Sequence, residues 1–226
     1  MRARAARYFG AAKKAILSLK DYYQHKLPHL LTLDPKDGPD PTCPYPMQYA
    51  SIMGHGTQTF RYVSQLDKDK LVFYCMEADT PICVKFVRAY SREAHLKCSS
   101  LGFAPALRGY EKMAGGWFMV VMDFVDGQYE LLDVSASKAS FFSEIREKLT
   151  TLHQAGFVHG DIRTTNIMVK TNGERGIILF DFDWAGVIGE VRYPMNVNTT
   201  EIRRPTGVRD NELILPHHDL TMIDFM

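Results

Sequence analysis

Short apolar and alternating runs follow one another through the middle of the chain, and they predict β-strands. Residues 60–66, 71–76 and 82–87 are rich in β-branched and aromatic side chains and are separated by brief polar segments. Two more strands are predicted around residues 106–112 and 117–125, the second because its apolar positions are nearly continuous. The close spacing of these runs predicts an antiparallel meander.

Apolar positions three or four residues apart predict helices on both sides of this β-rich part and one within it. A first helix is expected over residues 2–25. A short one begins after Ser91, whose hydroxyl suits an N-cap, and has Glu93 in its first turn. Residues 140–153 carry the clearest amphipathic pattern, and a last short helix is expected at 220–225.

The order of these elements predicts an α+β protein with two lobes. The proline-rich segment 34–46 cannot sustain a helix or a central strand and is predicted to be a linker. The expected organisation is an N-terminal helix and linker at 1–44, a β-rich lobe at 45–122 and a short C-terminal lobe at 123–226.

Composition narrows the possible partners. The 226 residues carry a formal net charge of +1, which gives no basis for a broad nucleic-acid-binding surface, so we expect no nucleic acid partner. No apolar run reaches the length of a membrane span. The four cysteines form no C-x-x-C pair, which favours reduced thiols and a cytoplasmic protein. The basic first twenty residues fit a helix packed on the domain, or else a transit peptide.

The strongest chemical signal lies in residues 157–183. His159 stands two residues before Asp161, and Asn166 stands five residues after it, just before a predicted strand. A turn at Asn172-Gly173 leads to a second strand, predicted at 177–181, which ends in Asp181. Phosphoryl transfer needs one Asp near the acceptor hydroxyl, and an Asn and a second Asp to hold magnesium on the ATP phosphates.

These motifs resemble those of the protein-kinase-like superfamily. The sequence His-Gly-Asp-x4-Asn at 159–166 is similar to the catalytic loop H-R-D-x4-N, and Asp-Phe-Asp at 181–183 stands in the place of D-F-G. This pairing is similar to the aminoglycoside and choline kinase branch, and the longer pattern of residues 158–198 resembles short fungal protein-kinase-like proteins. The resemblance, from about residue 45 onward, implies a two-lobed kinase fold with a reduced C-terminal lobe.

The resemblance also implies roles for the loop residues. Asp161 would be the catalytic base, and Asn166 and Asp181 would be ligands of Mg²⁺. Arg163 would stabilise charge on the γ-phosphate, or else pair with a local acid. His159 is expected to brace the loop, and Asp219 to accept hydrogen bonds from the loop backbone.

In the β-rich lobe, Ile-Cys-Val-Lys at 82–85 resembles the third-strand V-A-I-K motif. Lys85 would therefore contact the ATP phosphates and pair with Glu93. Adenine would bind the backbone around Met122 and Asp123. The sequence departs from the family in three places: no glycine-rich loop precedes Lys85, Gly160 replaces the arginine of H-R-D, and there is no A-P-E.

The resulting hypothesis is an ATP-dependent phosphotransferase that uses Mg²⁺. The acceptor would be a hydroxyl of a protein serine or threonine, or of a small molecule. The alternative is a pseudokinase-type module that binds a nucleotide or a partner without catalysis, which the missing glycine loop and the short C-terminal half favour.

Overall fold

The computed structural model describes residues 2–21, 46–133, 139–172 and 174–226. Contacts between residues divide the chain into two units, Met1–Tyr45 and Pro46–Met226. The predicted linker at 34–46 falls outside the described residues except for its last residue, Pro46, and so does Gly173 of the predicted turn.

The first unit contains helix α1, Arg2–Asp21. The predicted helix is confirmed up to Asp21, and its expected continuation to residue 25 lies outside the described residues. None of the helices in the described ranges is both long enough and apolar enough to span a bilayer.

The second unit begins with a small hairpin of β1, Gln48–Ala50, and β2, Thr57–Thr59. The sequence patterns did not predict these short strands.

A five-stranded antiparallel sheet follows, in the order β3-β4-β5-β7-β6. Its strands are β3 (Arg61–Gln65), β4 (Val72–Glu77), β5 (Thr80–Val87), β6 (Leu107–Lys112) and β7 (Phe118–Asp123). All five correspond to predicted runs, so the antiparallel meander of β3, β4 and β5 is confirmed.

Helix α2, Arg92–Ser100, connects β5 to β6. The Ser91 hydroxyl accepts a hydrogen bond from the backbone N–H of Ala94 at 3.3 Å, which confirms the predicted N-cap. Ala94, His95 and Cys98 form the buried face of this helix.

The remainder of the unit combines short strands with two helices. They are β8 (Tyr129–Leu131), α3 (Ala139–Gln154), β9 (Phe157–Val158), β10 (Ile167–Lys170), β11 (Ile177–Leu179), β12 (Gly186–Val187) and α4 (Pro216–Asp224). The strands form a sheet in the order β11-β10-β8 and a separate pair of β12 with β9. The order of the elements confirms the α+β class.

Three details differ from the sequence-based expectations. Strand β8 was not predicted, because only three residues of it pair. The strand expected at 177–181 ends at Leu179, since Asp181 has a φ of +70°, which a strand cannot contain. The last helix starts at Pro216 rather than at residue 220, because proline is well suited to the first turn of a helix.

The core of this half fixes the position of the candidate site. Buried residues of α3, among them Ile145 and Leu149, pack in one cluster with Ile167 of β10 and Leu179 of β11. Ile167 and Leu179 are direct partners in the antiparallel ladder. The residues just before β10 and just after β11 therefore emerge at the same end of the sheet.

Candidate functional site

A cleft of about 440 Å³ opens beside this end of the sheet. It lies between the five-stranded sheet and the sheet of β8, β10 and β11. Five of the residues predicted for the site line it: Lys85, Met122, Asp123, Asn166 and Asp181. These residues come from β5, β7, the turn before β10 and the segment after β11, so the fold collects groups that are far apart in the sequence.

Lys85 lies on β5, and only 7% of its surface is exposed. Its ammonium contacts Asp181 Oδ1 directly and lies 2.6 Å from Asp183 Oδ1. Burial alone would lower the pKa of Lys85, but the charges of the two carboxylates outweigh it and raise the pKa. Lys85 is therefore a cation held at the inner end of the cleft.

The expected ion pair of Lys85 with Glu93 is not among those formed by the described residues. Glu93 is exposed in the first turn of α2, where its charge adds to burial in raising the pKa of Tyr110. Only seven residues separate it from Lys85, which leaves it at the near end of the helix rather than one or two turns further along. Asp181 and Asp183 are the partners of Lys85 instead.

The two carboxylates titrate differently. Burial favours protonation of Asp181, but Lys85 and Lys70 together outweigh it and hold the pKa of Asp181 below its usual value. Burial, together with the charge of Asp181, raises the pKa of Asp183 to about 7 although Lys85 opposes this shift. Lys85 and Lys70 thus favour the ionised form of Asp181, whereas burial and the charge of Asp181 favour the protonated form of Asp183.

Phe182, between these carboxylates, is completely buried. Its ring stacks on His95 with centroids 4.7 Å apart and planes 7° apart. The backbone N–H of Ser91 donates to the carbonyl of Phe182 at 3.0 Å. These contacts fix the loop that carries Asp181 and Asp183 against the start of α2.

Asp161 is 5% exposed and lies next to Asn166. The side-chain amide of Asn166 donates to the backbone carbonyl of Asp161 at 2.9 Å and to its Oδ2 at 3.0 Å. Arg163 Nε lies 3.0 Å from the same Oδ2. Arg163 therefore pairs with a nearby acid, which was one of the two roles expected for it.

A further residue at this carboxylate was not found from the sequence. Arg204 Nη2 lies 2.9 Å from Asp161 Oδ1, and the Arg204 side chain is only 4% exposed. Its guanidinium sits over the Trp184 ring, 5.1 Å from the centroid. Because Arg204 is 43 residues beyond Asp161 in a stretch without periodic pattern, no motif connects the two residues.

Asp219 of α4, which is 1% exposed, anchors the backbone of the loop at residues 159–166. Its carboxylate accepts hydrogen bonds from the N–H groups of His159 and Gly160, both at 2.8 Å. This confirms the expected role of Asp219. His159 is buried, accepts from the Asp161 N–H at 3.3 Å and bonds the Phe180 carbonyl at 3.2 Å, which confirms that it braces the loop.

Gly160 stands where H-R-D has arginine, for a steric reason. Its φ is +83°, and a Cβ would lie 2.8 Å from Ile214 Cδ1 and 3.0 Å from the Trp184 carbonyl oxygen. A side chain does not fit there.

Met122 and Asp123 lie at the end of β7, where the chain leaves the sheet. Met122 is buried, and the Asp123 carboxylate lies 2.5 Å from Arg108 Nε. The Asp123 N–H donates to the Ala106 carbonyl at 2.9 Å, so this backbone donor is already used. The cleft wall continues beyond it with the next residues, Phe124 and Val125.

Asn166 and Asp181, which both line the cleft, carry an amide oxygen and a carboxylate, the kinds of oxygen ligand that Mg²⁺ takes in proteins. Asn166 uses its amide N–H groups on Asp161, and its carbonyl oxygen, which accepts a long hydrogen bond of 3.5 Å from the Thr165 hydroxyl, keeps a second lone pair. Across the described ranges no group of three or more His, Cys, Asp or Glu residues could hold a metal by itself. Mg²⁺ in nucleotide sites takes one or two carboxylates and completes its shell with water and phosphate oxygens.

The chain has an α+β fold of the protein-kinase-like type. It is similar to the structure of the Cydia pomonella granulovirus kinase PK-1, with a TM-score of 0.57 and 18% identity, over 73% of this chain and 65% of that one. Likeness at this level of identity shows the fold and nothing about the reaction.

Two sequence comparisons agree with this fold. Residues 110–185 match the family model WaaY, described as a lipopolysaccharide core biosynthesis protein. The serine/threonine-protein kinase pakA of Dictyostelium discoideum is 32% identical over 104 residues, which are 45% of this chain and 8% of pakA. The matched part is thus a small fraction of pakA, and the similarity to short fungal proteins stays a prediction.

Proposed function

We propose that this chain binds Mg-ATP in the cleft and transfers the γ-phosphoryl group to a hydroxyl acceptor. One observation carries the proposal: Lys85, Asn166 and Asp181 line a single cleft, and Asp161 is hydrogen-bonded to Asn166 at its border. Phosphoryl transfer requires a cation for the phosphates, oxygen donors for a metal and a carboxylate for the acceptor.

Each residue has a separate task in this proposal. Lys85 binds phosphate oxygens, and Asn166 and Asp181 hold Mg²⁺, which neutralises phosphate charge when it is bound. Asp161 orients the acceptor hydroxyl and accepts its proton. Arg163, beside Asp161, stabilises the charge on the transferred group.

The adenine would lie at the other end of the cleft, against Met122. The Asp123 N–H is already bonded to Ala106, and the Phe124 N–H donates to the Pro81 carbonyl at 3.5 Å, so the adenine would pair with the Phe124 carbonyl and the backbone of Val125. The acceptor class, a protein serine or threonine or a small molecule, stays open.

A nucleotide-binding module without catalysis is a second candidate, and the surroundings of Asp161 favour it. Both carboxylate oxygens of Asp161 face an arginine, Oδ1 toward Arg204 and Oδ2 toward Arg163. An acceptor hydroxyl would therefore have to compete with two guanidinium groups for the oxygens of Asp161.

Calorimetry with Mg-ATP tests the binding step. We expect wild type to bind, and both Asp181→Asn and Lys85→Ala to weaken binding tenfold or more, the effect of losing about 1.4 kcal/mol. Asp126→Asn is the matched control, because Asp126 is exposed and asparagine can keep its hydrogen bond to the Gln128 N–H. No binding by wild type at millimolar Mg-ATP would refute the proposal.

Product analysis separates the two candidates. Wild type and Asp161→Asn are incubated with γ-labelled Mg-ATP, and release of labelled phosphate to water and label on the protein are measured. An enzyme shows turnover that Asp161→Asn abolishes while nucleotide binding persists. Binding without any turnover by wild type would favour the non-catalytic module.

A further inference from the structure

The loop between β3 and β4, residues 66–71, occupies the place of the missing glycine-rich loop. It holds its own shape, since the Asp69 N–H donates to Asp67 Oδ1 at 2.9 Å and the Leu66 N–H donates to the Val72 carbonyl at 2.8 Å. The Asp67 carboxylate is therefore engaged by its own loop. Leu66, Asp67 and Lys70 of this loop line the cleft, and Lys70 is the cation among them.

Lys70 Nζ lies 3.1 Å from Asp181 Oδ2. The other oxygen of Asp181 is in contact with Lys85, so each oxygen of this carboxylate faces an ammonium group. The two lysines differ in burial: the Lys70 side chain is 46% exposed and that of Lys85 is 9% exposed. Lys70 can therefore move away from Asp181 at little cost in packing, and Lys85 cannot.

Lys70 lines both the main cleft and a neighbouring cavity of about 270 Å³ that is also bordered by Lys85 and Asp183. The Lys70 ammonium thus lies close to Lys85, Asp181 and Asp183. A glycine loop holds phosphates through backbone N–H groups. A flexible lysine on the same loop supplies a mobile positive charge and three N–H donors instead.

We propose that Lys70 is a phosphate-binding residue with two positions. Without nucleotide it pairs with Asp181. With Mg-ATP bound, Asp181 would hold the divalent cation, and the Lys70 ammonium would instead donate to the β- and γ-phosphate oxygens. This inference rests on the proposed function, and it assigns to one side chain the task of the absent glycine loop.

The arrangement predicts effects of opposite sign for two ligands. Lys70 competes with a divalent cation for Asp181, so it opposes binding of the metal alone. The negatively charged triphosphate gives the displaced ammonium a new partner, so Lys70 favours binding of the metal together with the nucleotide. A lysine that only supports the fold would not produce this reversal.

The test compares Lys70→Met with Lys68→Met and wild type. Lys68 is an exposed lysine of the same loop and serves as the matched control. Mn²⁺ binding is followed by electron paramagnetic resonance, and Mg-ATP and AMP binding by calorimetry. For Lys70→Met we expect Mg-ATP affinity to fall about tenfold, the effect of one charge-assisted hydrogen bond, and Mn²⁺ alone to bind several-fold more tightly. AMP, which lacks the β- and γ-phosphates, should bind unchanged, and Lys68→Met should match wild type throughout.

Other outcomes separate the two proposals. If wild type binds Mg-ATP and Lys70→Met binds it equally well, the role of Lys70 is refuted and the proposed function stands. Weaker binding of both Mn²⁺ and Mg-ATP by Lys70→Met would also refute the two-position role, since it would indicate a general disturbance of the site. If wild type fails to bind Mg-ATP, the proposed function fails, and the role of Lys70 fails with it.

Discussion

Removal of the Asp219 carboxylate should destabilise the protein strongly. In Asp219→Ala, the N–H groups of His159 and Gly160 lose an acceptor at 2.8 Å, and the His153 ring loses one at 3.0 Å. A buried donor left without an acceptor costs about 1–3 kcal/mol, so the two backbone groups alone predict a loss of roughly 2–6 kcal/mol. That is a large share of the roughly 5–15 kcal/mol by which a typical domain is stable.

Urea unfolding followed by circular dichroism measures this loss as a lower midpoint. Asp219→Asn should recover part of it at most, because an amide has a single acceptor oxygen and turns N–H donors toward the remaining N–H group. Asp224→Ala on the same helix is the control. Asp224 is 60% exposed and pairs with Arg146 at the surface, so its removal should cost under about 1 kcal/mol.

If the urea midpoint of Asp219→Ala corresponds to a loss of less than about 1 kcal/mol in the free energy of unfolding, the reasoning is refuted. It would mean that water or another acceptor reaches the two loop N–H groups once the carboxylate is gone. Hydrogen exchange at the amides of His159 and Gly160 distinguishes these cases, since both should exchange faster in the variant if they are left without an acceptor.

Three further predictions concern buried groups. Burial lowers the pKa of His95 to about 4 from 6.5, so below pH 6.5 the unfolded state binds a proton that the folded state excludes. The free energy of unfolding should therefore fall by up to about 3 kcal/mol between pH 6.5 and 4. In His95→Phe the free energy of unfolding should depend less steeply on pH over this range, and an equal dependence in both proteins would contradict the prediction. Gly160→Ala should lower the free energy of unfolding by roughly 2–4 kcal/mol, because residue 160 has a φ of +83° and an added Cβ would press on Ile214. Thermal unfolding measures this loss, and a Tm equal to that of wild type would contradict the prediction. Arg204→Met should cost about 1–3 kcal/mol, because the buried Oδ1 of Asp161 loses its charged partner while Oδ2 keeps Arg163. A double-mutant cycle with Asp161→Asn that shows no coupling would exclude a direct ion pair between Arg204 and Asp161.

The local patterns were sufficient for most of the fold. The five strands of the large sheet and helices α2 and α3 all follow from runs of apolar positions with a clear period. The short strands β1, β2 and β8 do not, because three residues are too few to show a period and their pairing depends on neighbours far away in sequence.

The sequence likewise predicts some contacts of the candidate site and not others. Asn166 and Asp181 could be placed near each other because a single antiparallel hairpin connects them. The partner of Lys85 could not be identified, since the choice between Glu93 and Asp181 depends on where α2 starts and on how the two sheets approach each other. Arg204 and Lys70 reach their carboxylates across 43 and 111 residues, and no spacing rule covers such distances.

The contact between Phe182 and His95 has a consequence for how α2 can move. A helix secured across a cleft by an exposed ion pair can be released by salt or by a competing charge. Here the attachment is a buried aromatic stack, and Phe182 has no exposed surface. Withdrawing α2 would expose that ring at a cost of about 2–3 kcal/mol. The withdrawn state would then hold roughly one molecule in a hundred. Helix and loop therefore move as one body, and heat or local unfolding separates them more readily than a change of ionic strength.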